Sequence, residues 1–382
     1  MFRYSSPCIG VIGGGQLAWM LGLAAQKMGY EFWVQTPHTS DPAVTIATGT
    51  ILAPIADALA TAQMAEPCDV ITFENEFVDL TALQGLADQG VNFAPRLENL
   101  APLLDKYDQR CYLQKIGLPT PNFCILTRNA AGELENPWGF PVVLKTRRQG
   151  YDGLGTSILE NEEALKNAIQ TENPEDFLLE EFIPFERELA VMIARSSMGE
   201  VAVYPVVETQ QADQVCRCVI APAPISESLQ RSVQAMAKTF IETLKGVGIF
   251  GLEFFLDAND RLLVNEVAPR THNSGHYTIE ACHTSQFEQQ LNAILNLPLG
   301  SPDLKYPSAV MINLLGYESA TRDYQQQQQQ LAAIPHATLH WYGKTQSRPG
   351  RKLGHITIVS DQPSDRVDLA ALNQQVDQAW LH

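Results

Sequence analysis

A chain of 382 residues with 45% hydrophobic content holds enough apolar material for two or three cores, and its net charge of -17 argues against nucleic acid as a partner. No apolar run is long enough for a membrane span, and the N-terminus lacks the basic-then-apolar order of a signal peptide, so cytoplasmic residence is expected. The seven cysteines are scattered, and Cys216 and Cys218 have no second pair to complete a zinc site, so they read as reduced, mostly buried thiols.

Residues 8 to 35 read strand, glycine turn, helix, strand, the opening of a doubly wound α/β domain. Gly13, Gly15 and Ala18 match a loose dinucleotide fingerprint, but the second strand ends in Gln35-Thr36-Pro37, without the acid that would hold a ribose. The glycines still permit an anion at the helix N-terminus. A later strand, 69 to 73, ends in Glu74-Asn75-Glu76 at the carboxyl edge, where open α/β sheets place ligands. A helix over 106 to 116, closed by Gly117 and followed by Pro119 and Pro121, marks a change of domain near 105.

Strand 140 to 145 runs into a loop with Gly150, Gly153 and Gly155, and a strand returns at 156 to 159. Backbone N–H groups of such a flap can close over phosphates, although a glycine-rich hairpin can also be only a hairpin. Residues 177 to 188 read as a strand carrying Glu180 and Glu181, then a turn at Pro184 and a further acid; solvated strand ends are the plain alternative. A strand over 200 to 207 and an amphipathic helix over 229 to 244 follow.

The densest chemistry lies in residues 250 to 278, which read as a hairpin emptying into a polar loop. With a four-residue loop over 257 to 260, Leu256 faces Arg261 and Glu253 faces Val264. Glu253 and Glu266 then project from one face as diagonal neighbours, together with Phe255, Leu262 and Val264. Two carboxylates among apolar neighbours suit a shared hard cation, and Mg2+ is the expected one; a solvated sheet face is the alternative. Asn265, Arg270, His272, Asn273, Ser274 and His276 crowd the loop that leaves the strand, where binding chemistry is usually placed.

A helix over 287 to 295 stops before Pro298, the glutamine run 325 to 330 reads as a solvated helical face, and residues 301 to 382 read as a small unit of strands plus a terminal helix. Two local basic clusters are available to anionic substrates: Lys145 with Arg147 and Arg148, and Lys344 with Arg348, Arg351 and Lys352. The second, the tightest positive cluster in an acidic chain, is either an anion site or a solvated patch.

Five stretches together resemble the N5-carboxyaminoimidazole ribonucleotide synthetases of the ATP-grasp superfamily. They are GGGQL from Gly13, KTRRQGYDGLG from Lys145, NEVAPRTHNSGHYT from Asn265, SQFEQQ from Ser285 and WYGKTQSRPGRKLGHI from Trp341. The resemblance implies an α/β and α+β fold in three parts: an N-terminal doubly wound parallel-sheet domain over 1–104, an ATP-grasp domain over 105–300 with a flap-bearing lobe at about 120–183, and a small C-terminal domain over 301–382.

The implied reaction is phosphorylation of bicarbonate by ATP, followed by carboxylation of 5-aminoimidazole ribonucleotide by carboxyphosphate or the CO2 it releases. Mg2+, with Mn2+ as a substitute, would sit on Glu253 and Glu266 and bridge ATP phosphates. By the same resemblance, Lys145 and the flap residues Gly150, Gly153 and Gly155 hold phosphates, and Lys106 is a further ATP-contacting position. Glu180, Glu181, Phe182 and Ile183 form the adenine strand, and Glu188 takes the ribose. Tyr151, Asp152, Arg270, His272, Asn273 and Ser274 handle bicarbonate and the aminoimidazole. Gln16, Glu74, Glu76, Lys344 and Arg351 complete the ribonucleotide side, the last two on its 5'-phosphate. A homodimer is implied as well.

Ala268 stands where many ATP-grasp enzymes carry a metal-binding Asn, with Asn265 as the nearby substitute. Leu154 and Gln211 depart from an Arg and a nucleotide-contacting His of some members. Nothing resembling a fused carboxylase partner follows, so a monofunctional chain is expected. A formate-using glycinamide ribonucleotide transformylase, a biotin carboxylase, a nucleotide-binding regulator and an NAD-dependent oxidoreductase are the competing readings.

Overall fold

The computed structural model describes residues 6–148, 150, 155–170 and 172–381. Strand β1 (Cys8–Ile12) is buried at every position, as a strand covered on both faces must be, and it leads through the glycine turn into helix α1 (Gln16–Lys27). Strands β2 (Glu31–Thr36) and β3 (Gly49–Leu52), helix α2 (Ala58–Ala65), strand β4 (Val70–Phe73) and helix α3 (Leu80–Asp88) complete the N-terminal layer. Its four parallel strands run in the order β3-β2-β1-β4. The direction of winding therefore reverses between β1 and β4, whose ends Ile12 and Phe73 lie in register. That reversal opens a crevice at their carboxyl ends.

A short helix α4 (Leu97–Leu100) precedes α5 (Lys106–Lys115). The Asp105 side chain caps α5 by accepting the N–H groups of Tyr107 and Asp108. A small antiparallel sheet then packs against helix α6 (Glu162–Ile169). Its strands are β5 (Phe123–Ile125), β6 (Val142–Thr146), β7 (Thr156–Leu159) and β8 (Phe177–Glu181), in the order β5-β8-β6-β7. The loop from β6 to β7 closes where the Thr146 N–H meets the Gly155 carbonyl at 2.7 Å.

The largest sheet takes β9 (Phe185–Arg195), β10 (Val201–Val203), β11 (Val207–Ala212), β12 (Val215–Ala221), β13 (Gly248–Asp257) and β14 (Leu262–Ala268). Helix α7 (Glu227–Leu244) lays Val233, Ala237, Phe240, Ile241 and Leu244 into a core shared with Val191, Ile193, Phe250 and Phe254. The strand expected over 200 to 207 ends at Val203. A short helix α8 (Thr278–Ala281) leads to α9 (Gln286–Ile294), which is closed by a Ser285/Glu288 capping box. The remaining elements are β15 (Ser308–Leu315), β16 (Ala320–Thr321), α10 (Gln325–Ala332), β17 (Ala337–Trp341), β18 (Gln346–Ser347), β19 (Lys352–Ser360) and α11 (Leu369–Leu381). The glutamine run is helical, but Gln327 is buried rather than solvated.

The C-terminal strands extend the central sheet. Strand β15 pairs antiparallel with β12, from Cys218 opposite Ile312 to Ala221 opposite Ala309. The full order is β14-β13-β9-β11-β12-β15-β19-β17, with β10 on β9. No helix among the described residues is long and apolar enough to cross a membrane.

Candidate active site

The β13–β14 hairpin turns differently from the expectation. Asp257 accepts the N–H groups of Asn259 at 2.8 Å and Arg261 at 2.9 Å, which draws Arg261 into the loop and pairs Leu256 with Leu262. A bulge then leaves Asn265 without a partner and sets Glu253 directly opposite Glu266, not diagonal to it. Leu262 and Val264 turn away into the core, and Leu263, opposite Phe255, takes the place expected for them. The bulge also lets two consecutive residues, Asn265 and Glu266, reach the same side. Asn265 Oδ1 accepts from Lys145 Nζ at 3.1 Å, and Glu266 pairs with Lys106 at the same distance.

The two carboxylates differ electrostatically. Burial first, then the charges of Glu266 and Glu188, pushes Glu253 up to about 8. Burial acts the same way on Glu266, but the ammonium groups of Lys106 and Lys145 override it and hold that carboxyl low. Two facing carboxylates fit a hard divalent cation. Among the described residues no cluster of three or more His, Cys, Asp or Glu side chains is built to hold a metal, so further oxygen ligands would have to come from a bound phosphate and water.

Behind the pair stands a buried ion triad. Glu180 receives Arg110 at 2.5 Å and Lys145 at 2.7 Å, with all three side chains nearly inaccessible. Glu180 is therefore not a solvated strand end. Lys106 and Arg110 lie four residues apart on α5, so one helix face delivers both cations. The neighbouring basic cluster is not free for an anion as expected: Arg147 and Arg148 pair with Asp105 at 2.9 and 3.2 Å. Farther along the cleft, Glu181 accepts from Asn122 at 2.7 Å, and Phe182 and Ile183 line the wall where β8 passes into β9. Burial raises Glu188, and a hydrogen bond from Gln211 opposes the rise.

The glycine turn does not offer its helix terminus to an outside anion. The Glu74 carboxylate from the end of β4 accepts the N–H groups of Gly15 at 2.6 Å, Leu17 at 3.1 Å and Ala18 at 3.3 Å. A Cβ at Gly13 or Gly15 would come within 2.5 Å of a Glu74 oxygen, so the glycines make room for the chain's own carboxylate. A pyrophosphate has no place there. Burial raises Glu74 despite these donors and the nearby Lys344 and Arg270 charges.

Glu76 pairs with Arg270 across the crevice at 3.0 Å. The backbone of His272 is gripped by Gln286, whose amide accepts its N–H at 2.9 Å and donates to its carbonyl at 2.7 Å. The ring Nδ1 lies 2.9 Å from Ser274 Oγ and accepts the Ser274 N–H at 3.4 Å. With Nδ1 accepting, the ring proton sits on Nε2, 3.6 Å from Glu253. Asn273 exchanges amide hydrogen bonds with Asn313 of β15, at 3.0 and 2.7 Å. Lys344 donates to Gln16 Oε1 at 2.5 Å and to the Lys352 carbonyl at 3.0 Å, which joins two expected ribonucleotide residues 328 positions apart. Arg351 donates to the Gln346 carbonyl at 2.6 Å.

The expected site residues within the described segments, Gly155 aside, border one cleft of about 2000 Å³, in which Gln16 and Glu74 from the N-terminal sheet lie beside Lys344. Gly150 lines it, Gly155 closes the base of the flap, and Tyr151, Asp152 and Gly153 lie outside the described residues. Arg110, Gln286 and Asn313 were not expected. The spacing of Arg110 from Lys106 on one helix was the available signal for the first, Gln286 lay in the SQFEQQ stretch with no role given to it, and Asn313 carried none.

Three family models match the chain in succession: the ribonucleotide synthetase preATP-grasp domain over 7–102, the ATP-grasp domain over 111–287 and the phosphoribosylaminoimidazole carboxylase C-terminal domain over 309–368. The N5-carboxyaminoimidazole ribonucleotide synthase of Synechococcus elongatus is 59% identical over 351 residues, 92% of this chain and 89% of that one. The chain belongs to the N5-carboxyaminoimidazole ribonucleotide synthase family. A second member, from Synechocystis, is 50% identical over 97% of both chains. The crystal structure of the Thermotoga maritima synthetase superposes with a TM-score of 0.86 at 42% identity, covering 97% of this chain and 98% of that one. The Aspergillus clavatus synthase, crystallised with ADP and 5-aminoimidazole ribonucleotide, superposes at 0.88 with 31% identity and covers 98% and 99% of the two chains.

Proposed function

We propose that this chain carboxylates 5-aminoimidazole ribonucleotide with bicarbonate at the expense of ATP, through carboxyphosphate, and releases N5-carboxyaminoimidazole ribonucleotide, ADP and phosphate in de novo purine biosynthesis. The observation that carries the reading is one cleft lined both by a facing carboxylate pair flanked by Lys106 and Lys145 and by Lys344 and Arg351. The first group suits a nucleotide's phosphates with their cation, the second a sugar phosphate.

In this reading Glu253 and Glu266 would hold Mg2+, or Mn2+ in its place, which would supply charge neutralisation at the phosphates. Lys145, fixed by Glu180 and Asn265, and Lys106 hold the transferred phosphoryl group against bicarbonate. The flap residues from Gly150 to Gly155 cover the phosphates, the 180–183 segment takes the base, and Glu188 with Gln211 takes the ribose. Arg270, His272, Asn273 and Ser274, with Tyr151 and Asp152, surround the carbon under attack. Arg270, held by Glu76, offers a fixed positive fork to a carboxylate-like oxyanion. Gln16, Glu74, Lys344 and Arg351 orient the ribonucleotide so that its amine meets that carbon. A homodimer in the cytoplasm is part of the proposal, by family resemblance.

The test is an ADP-release assay over a small panel of acceptors. ADP should form only when bicarbonate and 5-aminoimidazole ribonucleotide are both present. ADP release with formate and glycinamide ribonucleotide, or release indifferent to the ribonucleotide, would overturn the reading.

A further inference from the structure

The N-terminal sheet carries a second piece of chemistry at the end away from the cleft. Cys8 opens β1 and Cys68 lies two residues before β4, and their sulfurs are 3.4 Å apart. The segments that carry them are pinned on both sides of the contact: the Asp69 N–H donates to the Cys8 carbonyl at 2.8 Å, and the Cys8 N–H donates to the Asp69 carboxylate at 2.8 Å. Room for the approach comes from Gly10, the next residue on the same face of β1, where a Cβ would sit 3.2 Å from the Cys68 sulfur. Cys8 is buried and Cys68 is half-buried, so a small reagent can reach the pair from one side only.

We propose that Cys8 and Cys68 form a reversible intramolecular disulfide, an oxidative modification site that staples the amino ends of β1 and β4. Closing the gap from 3.4 Å to a bond of about 2.05 Å needs a movement that side-chain rotation and a small backbone adjustment supply. With a glutathione-class disulfide as oxidant, the Cys68 thiolate attacks one of its sulfurs and expels one glutathione thiolate. The Cys8 thiolate then attacks the Cys68 sulfur of the mixed disulfide and expels the second. Two thiols lose their hydrogens, and one disulfide is reduced to two thiols. In the reduced pair the hydrogen bond between the two thiols lowers Cys8 and raises Cys68, so partial exposure rather than acidity makes Cys68 the first to meet the oxidant. The site bears on no catalytic contact, because the carboxyl ends of the same strands hold Gly15 and Glu74.

The test uses the full-length Cys111→Ser protein, which removes an exposed thiol able to link two molecules. Native protein is held in oxidised glutathione, blocked with an alkylating agent and digested. A peptide joining Cys8 to Cys68, with a mass lower by two hydrogens and lost on treatment with dithiothreitol, is the expected result. Cys8→Ala should instead leave a stable glutathione adduct on Cys68, and if that buried replacement fails to fold, Cys68→Ala must also abolish the joined peptide. Two free thiols after oxidation, or a glutathione adduct on Cys68 beside a free Cys8 in the parent protein, would overturn the inference.

Discussion

Asn273 and Asn313 hold each other by two reciprocal hydrogen bonds between their side-chain amides, and both are buried. Asn313 Nδ2 also donates to the Cys216 carbonyl at 2.8 Å, so the amide that orients the loop residue is itself oriented by the sheet. Replacing Asn313 by Ala leaves the Asn273 amide free to rotate. We expect kcat/KM for the ribonucleotide to fall roughly tenfold to a hundredfold while KM for ATP stays near normal. In an Asn273→Ala background the same change should cost little more, and additive losses in this double-mutant cycle would show that the two amides do not act as a unit.

Glu253→Gln and Glu266→Gln keep the shape of the hairpin and remove one carboxylate each. Both should abolish divalent-cation-dependent ADP release with little change in secondary structure by circular dichroism. Glu266→Gln also strips Lys106 of its partner at 3.1 Å, so of the two it should show the lower thermal midpoint. Normal turnover in either variant would remove the pair from the role given to it.

Lys344→Ala and Arg351→Ala test the ribonucleotide end. A phosphate bound by these two side chains loses one charge-assisted contact in each variant, which weakens it by about tenfold to a hundredfold. Nucleotide binding, followed by fluorescence titration with an ATP analogue, should stay near normal. Because Lys344 also holds Gln16, its loss should be the larger of the two. Parallel loss of ATP binding would show that the basic cluster serves the nucleotide.

Stability should fall on the acid side in two stages. Burial first, then the charge of Lys352 in one case and of neighbouring imidazoles in the other, keeps His276 and His355 well below 6.5. The unfolded chain takes up these protons as pH drops below 6.5 and the folded chain does not. Each site then costs up to about 1.4 kcal/mol per pH unit. Glu180 acts in a lower window. Burial would raise it, but Arg110 and Lys145 hold it at about 2, so its contribution is complete above 4.5 and lost as pH falls toward 2. Urea unfolding across pH should show a slope below 6.5 that His355→Gln reduces by one proton. An unchanged slope would mean that His355 is protonated in the folded chain.

How far the sequence reached depends on the kind of contact. The strand and glycine pattern of residues 8 to 35, the apolar face of α7 and the existence of the acid-bearing hairpin are local, and periodicity was enough to read them, whereas the hairpin's turn and register were not. The bulge at Asn265 was invisible to alternation, because one extra residue changes which side chains share a face without changing composition. The glycine turn misled for a related reason: its open helix terminus is real, but the anion that fills it is Glu74, 59 residues from Gly15. Arg110 with Glu180 and Asn273 with Asn313 meet across 70 and 40 residues, and side-chain contacts of that range leave no trace in spacing.

The pairing of β15 with β12 bears on how much of this chain can be cut away. Removing the residues from 301 onward would not shed an independent module; it would bare the row of main-chain donors and acceptors along Cys218 to Ala221. A bared inner strand of an antiparallel sheet is a template for any other strand that meets it. A shortened protein of this kind should therefore self-associate through β12 rather than persist as a small nucleotide-hydrolysing core. The sheet that borders the cleft is thus also the device that keeps the molecule from polymerising.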